Sequence, residues 1–313
     1  MKKLVVLISI LAFSKGFAQQ LEHYTQYQFN QFAFNPAIAG TKNCLDIRTG
    51  YRFQWVGIDG APQTGFINAH APLRSSKRKR NAFGPKHGIG GQIKRDVFGP
   101  FSNLKLHATY ALHLPITRNW NLSFGASIGF MHSAYKISDL TTEVADPSIG
   151  GTSQSFIVFP DAIAGMWLSD KKTYVGLSVH NLIGNRLDEI GQEAKLQRHV
   201  YLTGGRKFAL EKKWSIIPSF FLMWTKASPI DFHLSALVDL DNKLTFGVGL
   251  RRTDAITTQI RVKLFNWISI GYSFDFVISK LSGNMWYTHE ITGGFNSCSS
   301  YGNNSTTSCP SFE

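Results

Sequence analysis

The segment Trp120–His132 reads W-N-L-S-F-G-A-S-I-G-F-M-H, and two kinds of side chain alternate along it. The apolar positions are Leu122, Phe124, Ala126, Ile128 and Phe130. The positions between them are Ser123, Gly125, Ser127 and Gly129. Because successive side chains of a β-strand point to opposite faces, the segment predicts a strand with one apolar face and one small, polar face.

The same alternation recurs along the chain, at about the length of a membrane-crossing strand, roughly 9–11 residues. Further examples are Val175, Leu177 and Val179; Leu244, Phe246, Val248 and Leu250; and Ile268, Ile270, Tyr272, Phe274 and Phe276. A soluble sandwich can show this pattern in one strand. Its repetition, with small and polar partners between the apolar residues, is the signature of a transmembrane β-barrel.

We predict an all-β outer-membrane barrel of fourteen antiparallel strands, the even number that bacterial barrels have. The predicted strands span residues 44–55, 63–73, 87–96, 103–114, 119–134, 156–169, 172–182, 198–209, 213–225, 229–240, 243–252, 255–264, 266–279 and 285–295. The short connections fall on one side, which we assign to the periplasm, and the two longest fall on the other. One connection, 74–86, is long for a periplasmic turn. Either it is a real basic loop or the early strand count slips by one.

The N-terminus is typical of a secretory signal. Residues 1–18 combine Lys2 and Lys3 with an apolar centre and the small-residue cleavage site Gly16-Phe17-Ala18. A retained anchor helix is the alternative, but the apolar run is too short to span a bilayer. Export together with a barrel pattern predicts the outer membrane of a Gram-negative bacterium, with both termini in the periplasm.

The remaining chain divides into three parts. Residues 19–43 are rich in aromatic and amide side chains, with a turn at Asn35-Pro36, and we expect them at the periplasmic mouth or inside the barrel as a plug. The barrel itself takes residues 44–295. Residues 296–313 are small and polar and predict a short, disordered periplasmic tail.

The chain has three cysteines, and none of their spacings is that of a zinc site. In an oxidising compartment, Cys298 and Cys309 are expected to close a small loop in the tail. Cys44 would then be left over.

The formal net charge is +13, and removing Lys2, Lys3 and Lys15 with the signal lowers it to +10. Such a balance can indicate nucleic-acid binding. In an exported barrel, contacts with anionic outer-membrane lipid or a basic lumen explain it better. The run Lys77–Arg80 either grips lipid headgroups or an acidic partner, or is a plain solvated loop.

Two motifs point towards enzymes, and neither fits its sequence context. Gly125–Gly129 matches the G-x-S-x-G of α/β-hydrolases, which needs a sharp turn between a strand and a helix. Here the alternation continues straight through the motif. His289-Glu290 lacks the second histidine that a zinc-protease helix requires. We therefore predict no enzymatic activity, no cofactor and no metal site.

Two early segments narrow the prediction further. They read Q-Y-Q-F-N-Q-F-A-F-N-P-A-I-A-G at 26–40 and Y-R-F-Q-W-V-G-I-D-G-A-P-Q-T at 51–64. Together with G-I-G-G-Q-I-K-R-D at 88–96 and Y-V-G-L-S-V-H-N-L at 174–182, they resemble the PorP/SprF family of outer-membrane proteins, which serves type IX secretion and gliding motility. The likeness covers nearly the whole mature chain. The cysteine-containing tail looks like an addition to the family pattern.

The resemblance implies a non-enzymatic barrel that works with type IX translocon components. It implies binding of the C-terminal domain of a secreted surface protein, such as a large adhesin used in gliding, and help with its export or anchoring. A periplasmic peptidoglycan-binding lipoprotein is a further implied partner.

The residues that we expect to contact a partner or to form the interior network lie in the two early segments. They are Asn35, Pro36, Tyr51, Arg52, Gln54, Trp55, Pro62 and Thr64. Arg52 and Gln54 would hydrogen-bond the N-terminal segment or the substrate domain, or only the barrel's own interior. Trp55 would sit in an aromatic girdle.

The main alternative is a passive or hydrophobic-solute channel, since barrels of this size also serve transport. A channel needs an open path through the lumen, whereas a docking barrel should be plugged and should present outer loops. A third interpretation is a membrane anchor whose basic loop and tail bind periplasmic proteins of the cell wall.

Overall fold

The computed structural model describes residues 23–73, 84–135, 155–185, 196–211, 213–226, 228–252, 254–279 and 287–297. Two 3₁₀ turns, η1 (Gln31–Ala33) and η2 (Pro36–Ile38), precede the strands. The strands are β1 (Asp46–Val56), β2 (Gln63–Leu73), β3 (Lys86–Phe98), β4 (Phe101–Pro115), β5 (Asn121–Tyr135), β6 (Ser155–Ser169), β7 (Thr173–His180), β8 (His199–Arg206), β9 (Phe208–Ala209), β10 (Trp214–Thr225), β11 (Ser228–Leu240), β12 (Leu244–Arg251), β13 (Ala255–Phe265), β14 (Ile268–Val277) and β15 (Tyr287–Asn296). Among these residues, no helix is both long and apolar enough to cross a membrane.

The strands form one closed antiparallel barrel. Each strand pairs with its neighbours along the chain, and β1 pairs with β15 to close the ring, which leaves no free sheet edge. The two-residue β9 continues β8 past Lys207, and both pair with β10, so they count as one strand. The predicted fourteen antiparallel strands are confirmed, and each predicted end lies within two residues of the observed one.

The connections define two ends of the barrel. At the turn end, those after β4, β6, β9, β11 and β13 are two to five residues long. At the loop end lie the two longest connections, residues 136–154 and 181–198. Residues 74–85 connect two strands at the turn end, so this long connection is real and the early strand count is right. The basic run Lys77–Arg80 lies outside the described residues.

Strand β5 shows how the alternation builds the wall. Ser123 and Ser127 are buried inside the ring, whereas Phe124 and Ile128 lie on the outer wall, Ile128 with 71% of its surface exposed. Ser127 shares a hydrogen bond of 2.7 Å with Thr109 across the β4–β5 ladder. The G-x-S-x-G motif is thus an uninterrupted strand, and the predicted pattern of apolar exterior and polar interior is confirmed.

Cys44, just before β1, is disulfide-bonded, so the expectation that it is left over is wrong. The ladder between the first and last strands runs on beside it, because the Ser297 amide donates to the Leu45 carbonyl at 3.0 Å. The other cysteines, Cys298 and Cys309, lie outside the described residues, as does the predicted bridge between them. A bond from Cys44 to either one would leave no bridge between those two.

We expect Ile128→Arg, in the middle of β5, to weaken insertion into a bilayer. A guanidinium on a lipid-facing wall costs about 2–4 kcal/mol near the midplane and at most about 1 kcal/mol near the interface. The measurement is urea unfolding of the barrel in phosphatidylcholine vesicles, with Ile116→Arg at a turn as the matched control. Equal losses in both variants would contradict a lipid-facing position for Ile128.

Candidate functional site inside the barrel

The N-terminal segment His23–Gly40 lies inside the ring of strands. All but one of its residues from 24 to 40 are buried. At its start, His23 Nε2 lies 3.3 Å from Asp231 Oδ2, near the loop end of β11. At its finish, the Gly40 amide donates to His70 Nδ1 at 3.2 Å, near the turn end of β2. The segment therefore runs through the barrel from the loop end to the turn end.

This course separates the two ends of the described chain. Asp46 and Asn296, which begin the first strand and end the last, are paired at the turn end. His23, the first described residue, lies near the loop end instead. The sequence predicted both termini on one side of the membrane; the structure places only the two ends of the strand ring together.

Four charged side chains hold the start of the segment. Arg52 on β1, Arg251 on β12, Asp275 on β14 and Glu290 on β15 are each at most 2% exposed. Arg52 donates to Asp275 Oδ2 at 2.7 Å and to Glu290 Oε2 at 3.2 Å. Arg251 donates to the same Asp275 oxygen at 3.2 Å. Two positive and two negative charges are thus paired, as burial of charge requires.

Thr25 lies at the centre of this ion cluster. Its hydroxyl donates to Asp275 Oδ1 at 2.7 Å and accepts from Arg52 at 2.8 Å and from the second arginine at 3.0 Å. Its backbone amide donates to Glu290 Oε2 at 2.8 Å, and the next amide, of Gln26, donates to Oε1 at 3.1 Å. One carboxylate therefore holds two successive N–H groups. Such charge-assisted bonds are roughly twice as strong as neutral ones.

Neutral groups hold the next turn of the segment. The Tyr27 hydroxyl donates to Ser219 at 3.0 Å and shares a bond of 2.9 Å with Ser235, and Gln28 donates to both serines.

Asn35-Pro36 begins η2 and binds it to the wall. Asn35 Oδ1 accepts from the Ala37 amide at 3.0 Å, an N-cap, and its Nδ2 donates to the Met166 carbonyl on β6 at 2.8 Å. The same Nδ2 donates to the Leu177 carbonyl on β7 at 3.2 Å. The residue that begins the predicted turn thus also hydrogen-bonds the segment to two neighbouring strands.

Two glycines make room for this contact. A Cβ on Gly125 would lie 2.3 Å from the Ala37 nitrogen, and one on Gly165 would lie 2.2 Å from Asn35 Oδ1. No side chain larger than hydrogen fits at such distances, so the inner faces of β5 and β6 leave room for the segment only because they carry glycine there.

The eight residues that the sequence predicted as partner contacts or interior network lie in different parts of the barrel. Asn35, Pro36 and Arg52 belong to the contact between segment and wall. Gln54, Pro62 and Thr64 line a cavity of about 430 Å³ that remains above the segment, towards the loop end. The Thr64 hydroxyl donates to Asp96 at 2.6 Å there.

Tyr51 and Trp55 lie elsewhere. Tyr51 is 41% exposed on the outer wall, where its hydroxyl donates to Gln63 at 2.8 Å, so it is not part of the interior network. Trp55 is half-buried at a bulge between Phe53 and Val56, with a φ of 50°. The bulge breaks the alternation on which the placement of Trp55 in a girdle was based, and that placement stays a prediction.

Sequence reasoning missed Thr25, Arg251, Asp275 and Glu290 as site residues. For Asp275 a signal was present, because it stands at an inward position between Phe274 and Phe276. An ionisable residue inside a membrane span is a candidate for a paired or functional role by default.

The sequence model of one protein family, described as "Type IX secretion system membrane protein PorP/SprF", matches residues 16–295. The chain belongs to the PorP/SprF family. The resemblance carried by the two early segments is therefore confirmed. The protein is an outer-membrane barrel of the type IX secretion system. No curated protein matches the sequence significantly.

Several solved barrels are similar in fold but share little sequence. Omp33 of Acinetobacter baumannii has 10% identity over 82% of this chain and 99% of its own, with a TM-score of 0.47. A Pseudomonas aeruginosa FadL homologue has 11% identity over 90% and 94%, with a TM-score of 0.44. The toluene transporter TodX of P. putida has 10% identity over 84% and 91%, with a TM-score of 0.43. Similarity at this level says nothing about substrate.

We expect Arg52→Gln to loosen the start of the N-terminal segment. Removing one partner of a buried pair leaves uncompensated charge and costs about 3–5 kcal/mol. Hydrogen–deuterium exchange of the purified barrel should show the Thr25 and Gln26 amides exchanging at least tenfold faster than in wild type. Arg118→Gln, in an exposed turn, is the control. Unchanged protection in Arg52→Gln would show that the cluster does not hold the segment.

Proposed function

We propose that this chain is a closed docking barrel for type IX secretion. It binds the C-terminal domain of a secreted surface protein, such as a large adhesin used in gliding, and helps to export or anchor it at the cell surface. The proposal rests on one observation above all: a segment of the chain's own N-terminus crosses the lumen and is fixed there by a buried ion cluster.

The orientation follows from the connections. Bacterial barrels have short periplasmic turns and longer outer loops, so the turn end faces the periplasm and the loop end faces outward. The cavity above the segment then opens towards the cell surface. A folded domain at the cell surface would then meet this cavity and the segment beneath it rather than an open pore.

A docking role suits this interior better than transport. The segment contacts the wall at the ion cluster, at the serines of β10 and β11, and at the glycines of β5 and β6, and these contacts lie at different positions around the ring. A solute would have to displace them together. No step in this role needs catalysis, a cofactor, a metal or nucleic acid.

We assign other partners to the outer wall of the barrel and to its turn end. Outer-membrane lipid covers the apolar wall. Translocon components and a peptidoglycan-binding lipoprotein would meet the turn end, where the basic run Lys77–Arg80 belongs by strand direction.

A pull-down tests the proposal. The affinity-tagged chain is purified in mild detergent from the outer membrane of a bacterium with a type IX system, beside an equally tagged unrelated barrel. Mass spectrometry should find secreted proteins with a type IX C-terminal domain enriched on this chain alone. Recovery of no such protein would count against docking.

Conductance separates docking from the passive or hydrophobic-solute channel. In planar bilayers, the wild-type barrel should show no steady current, because the segment fills the lumen. The Arg52→Gln variant should show openings, since its segment is less firmly held, and Arg118→Gln should stay closed. A steady open pore in the wild type would favour the channel.

A further inference from the structure

A groove, which we call the wall groove, runs across the outer wall of the barrel from β7 to β13. Its volume of about 940 Å³ lies at the upper end of the range of ligand pockets, about 300–1,000 Å³. At one end it is lined by Arg206, the last residue of β8, at the turn end of the barrel. At the other end it is lined by Leu250 and Ile256, each one residue from the loop-end connection between β12 and β13. The wall groove therefore crosses the lipid-facing wall obliquely.

Small side chains form the floor of the wall groove. Pro218 on β10 and Ala236 on β11 are direct partners across the ladder, and both line the groove. The outward pairs on either side of them are larger: Phe220 with Leu234, and Ile216 with Val238. Because side chains stand out from the plane of a sheet, a small pair between two large pairs leaves a recess in its surface.

The wall groove is long enough for an acyl chain. The strands β8, β10, β11, β12 and β13 are successive neighbours in the ring. Neighbouring strands lie about 4.8 Å apart, so the four steps from β8 to β13 span about 19 Å. The hydrocarbon core of a bilayer is about 30 Å thick, so one acyl chain reaches about 15 Å. A single chain can therefore lie within the groove.

Arg206 is the one charged side chain among the described residues that line the wall groove. It is exposed, and its Cζ lies 5.3 Å from the centroid of the Phe208 ring. The turn before β7, whose first residue pairs with Arg206, adds the exposed Lys171 and Lys172 against the single carboxylate of Asp170. The turn end of the groove thus carries a net positive charge, and no carboxylate lines the groove among the residues that the structure describes.

Aromatic side chains mark the level of Arg206 as the edge of the hydrocarbon. Phe208 and Trp214 are exposed on the outer wall beside it, and Phe265 and Trp267 are exposed at the turn after β13. Aromatic girdles of outer-membrane barrels lie at the interface between membrane and water. Arg206 therefore stands at the level of the lipid headgroups, and the wall groove extends from there into the hydrocarbon.

We propose that the wall groove binds one phospholipid molecule with an anionic headgroup. One acyl chain lies along Pro218 and Ala236, and the phosphate accepts hydrogen bonds from Arg206, whose planar guanidinium suits phosphate oxygens. An apolar groove that ends in an arginine at the interface matches a molecule that joins an apolar chain to an anionic group. Because the turn end faces the periplasm, this lipid belongs to the inner leaflet.

Native mass spectrometry of the full-length barrel, released from detergent micelles, tests the proposal. Dioleoyl phosphatidylglycerol and dioleoyl phosphatidylcholine carry the same acyl chains and differ in the net charge of the headgroup. We expect one molecule of phosphatidylglycerol to be retained with at least fivefold higher affinity than phosphatidylcholine. Equal retention of the two lipids would show an unselective lipid shell and overturn the proposal.

Arginine variants test the headgroup end of the groove. R206Q removes the charge and should lose at least fivefold in affinity for phosphatidylglycerol, whereas R206K keeps the charge and should retain binding. R118Q changes an exposed arginine in the turn after β4, outside the groove, and should bind like wild type. Wild-type affinity in R206Q would show that the arginine does not bind the phosphate.

A filled groove tests the acyl-chain end. A236F places a ring on the floor and leaves the charges in place, and it should also lose at least fivefold in affinity. A126F places the same ring on the outer face of β5, outside the groove, and should bind like wild type. Heat-dependent migration in gel electrophoresis checks that both variants are folded barrels. Equal affinities in A236F and A126F would overturn the assignment of the chain to the groove.

The wall groove and the docking function can fail separately. A pull-down that recovers no secreted protein would count against docking and leave the lipid preference unchanged. A barrel without any lipid preference could still capture a secreted protein, and only the wall groove proposal would then be wrong.

Discussion

The ion cluster around Thr25 is the constraint on which the rest of the interior depends. Its charges come from β1, β12, β14 and β15, and its centre comes from the N-terminal segment. Removing any one of the four charges would leave its buried partner without full compensation, at a cost of about 3–5 kcal/mol. The cluster is therefore complete only when the first and last strands have paired and the segment lies inside. Closure of the ring and filling of the lumen therefore depend on the same four side chains.

The strands were predictable because their pattern is local. Alternation of apolar with small or polar residues fixes which side of a strand faces out, and fourteen strands followed from counting such stretches and the turns between them. The pattern failed where the backbone departs from a regular strand. The bulge beside Trp55 is an example, since one extra residue shifts the faces of all that follows.

The interior was predictable only in part, because it is built from contacts between distant residues. Arg52 and Asn35 stood out as parts of family motifs, yet nothing near Arg52 in the sequence shows that its two carboxylate partners lie more than two hundred residues away. The path of residues 23–40 depends on glycines at the wall, whose role is visible only beside the atoms that approach them. Cys44 was misjudged for the same reason, because sequence spacing alone does not show which cysteines the folded chain brings together.

The course of the N-terminal segment changes the number of times the chain crosses the barrel from even to odd. Fourteen strands alone would return the polypeptide to the side from which it started. With the segment included, the described chain traverses the barrel's height fifteen times, and it begins and finishes at opposite ends. A stretch of polypeptide that belongs to no strand thus lies along the height of the lumen. The lumen is thus already occupied by a segment of the barrel's own chain.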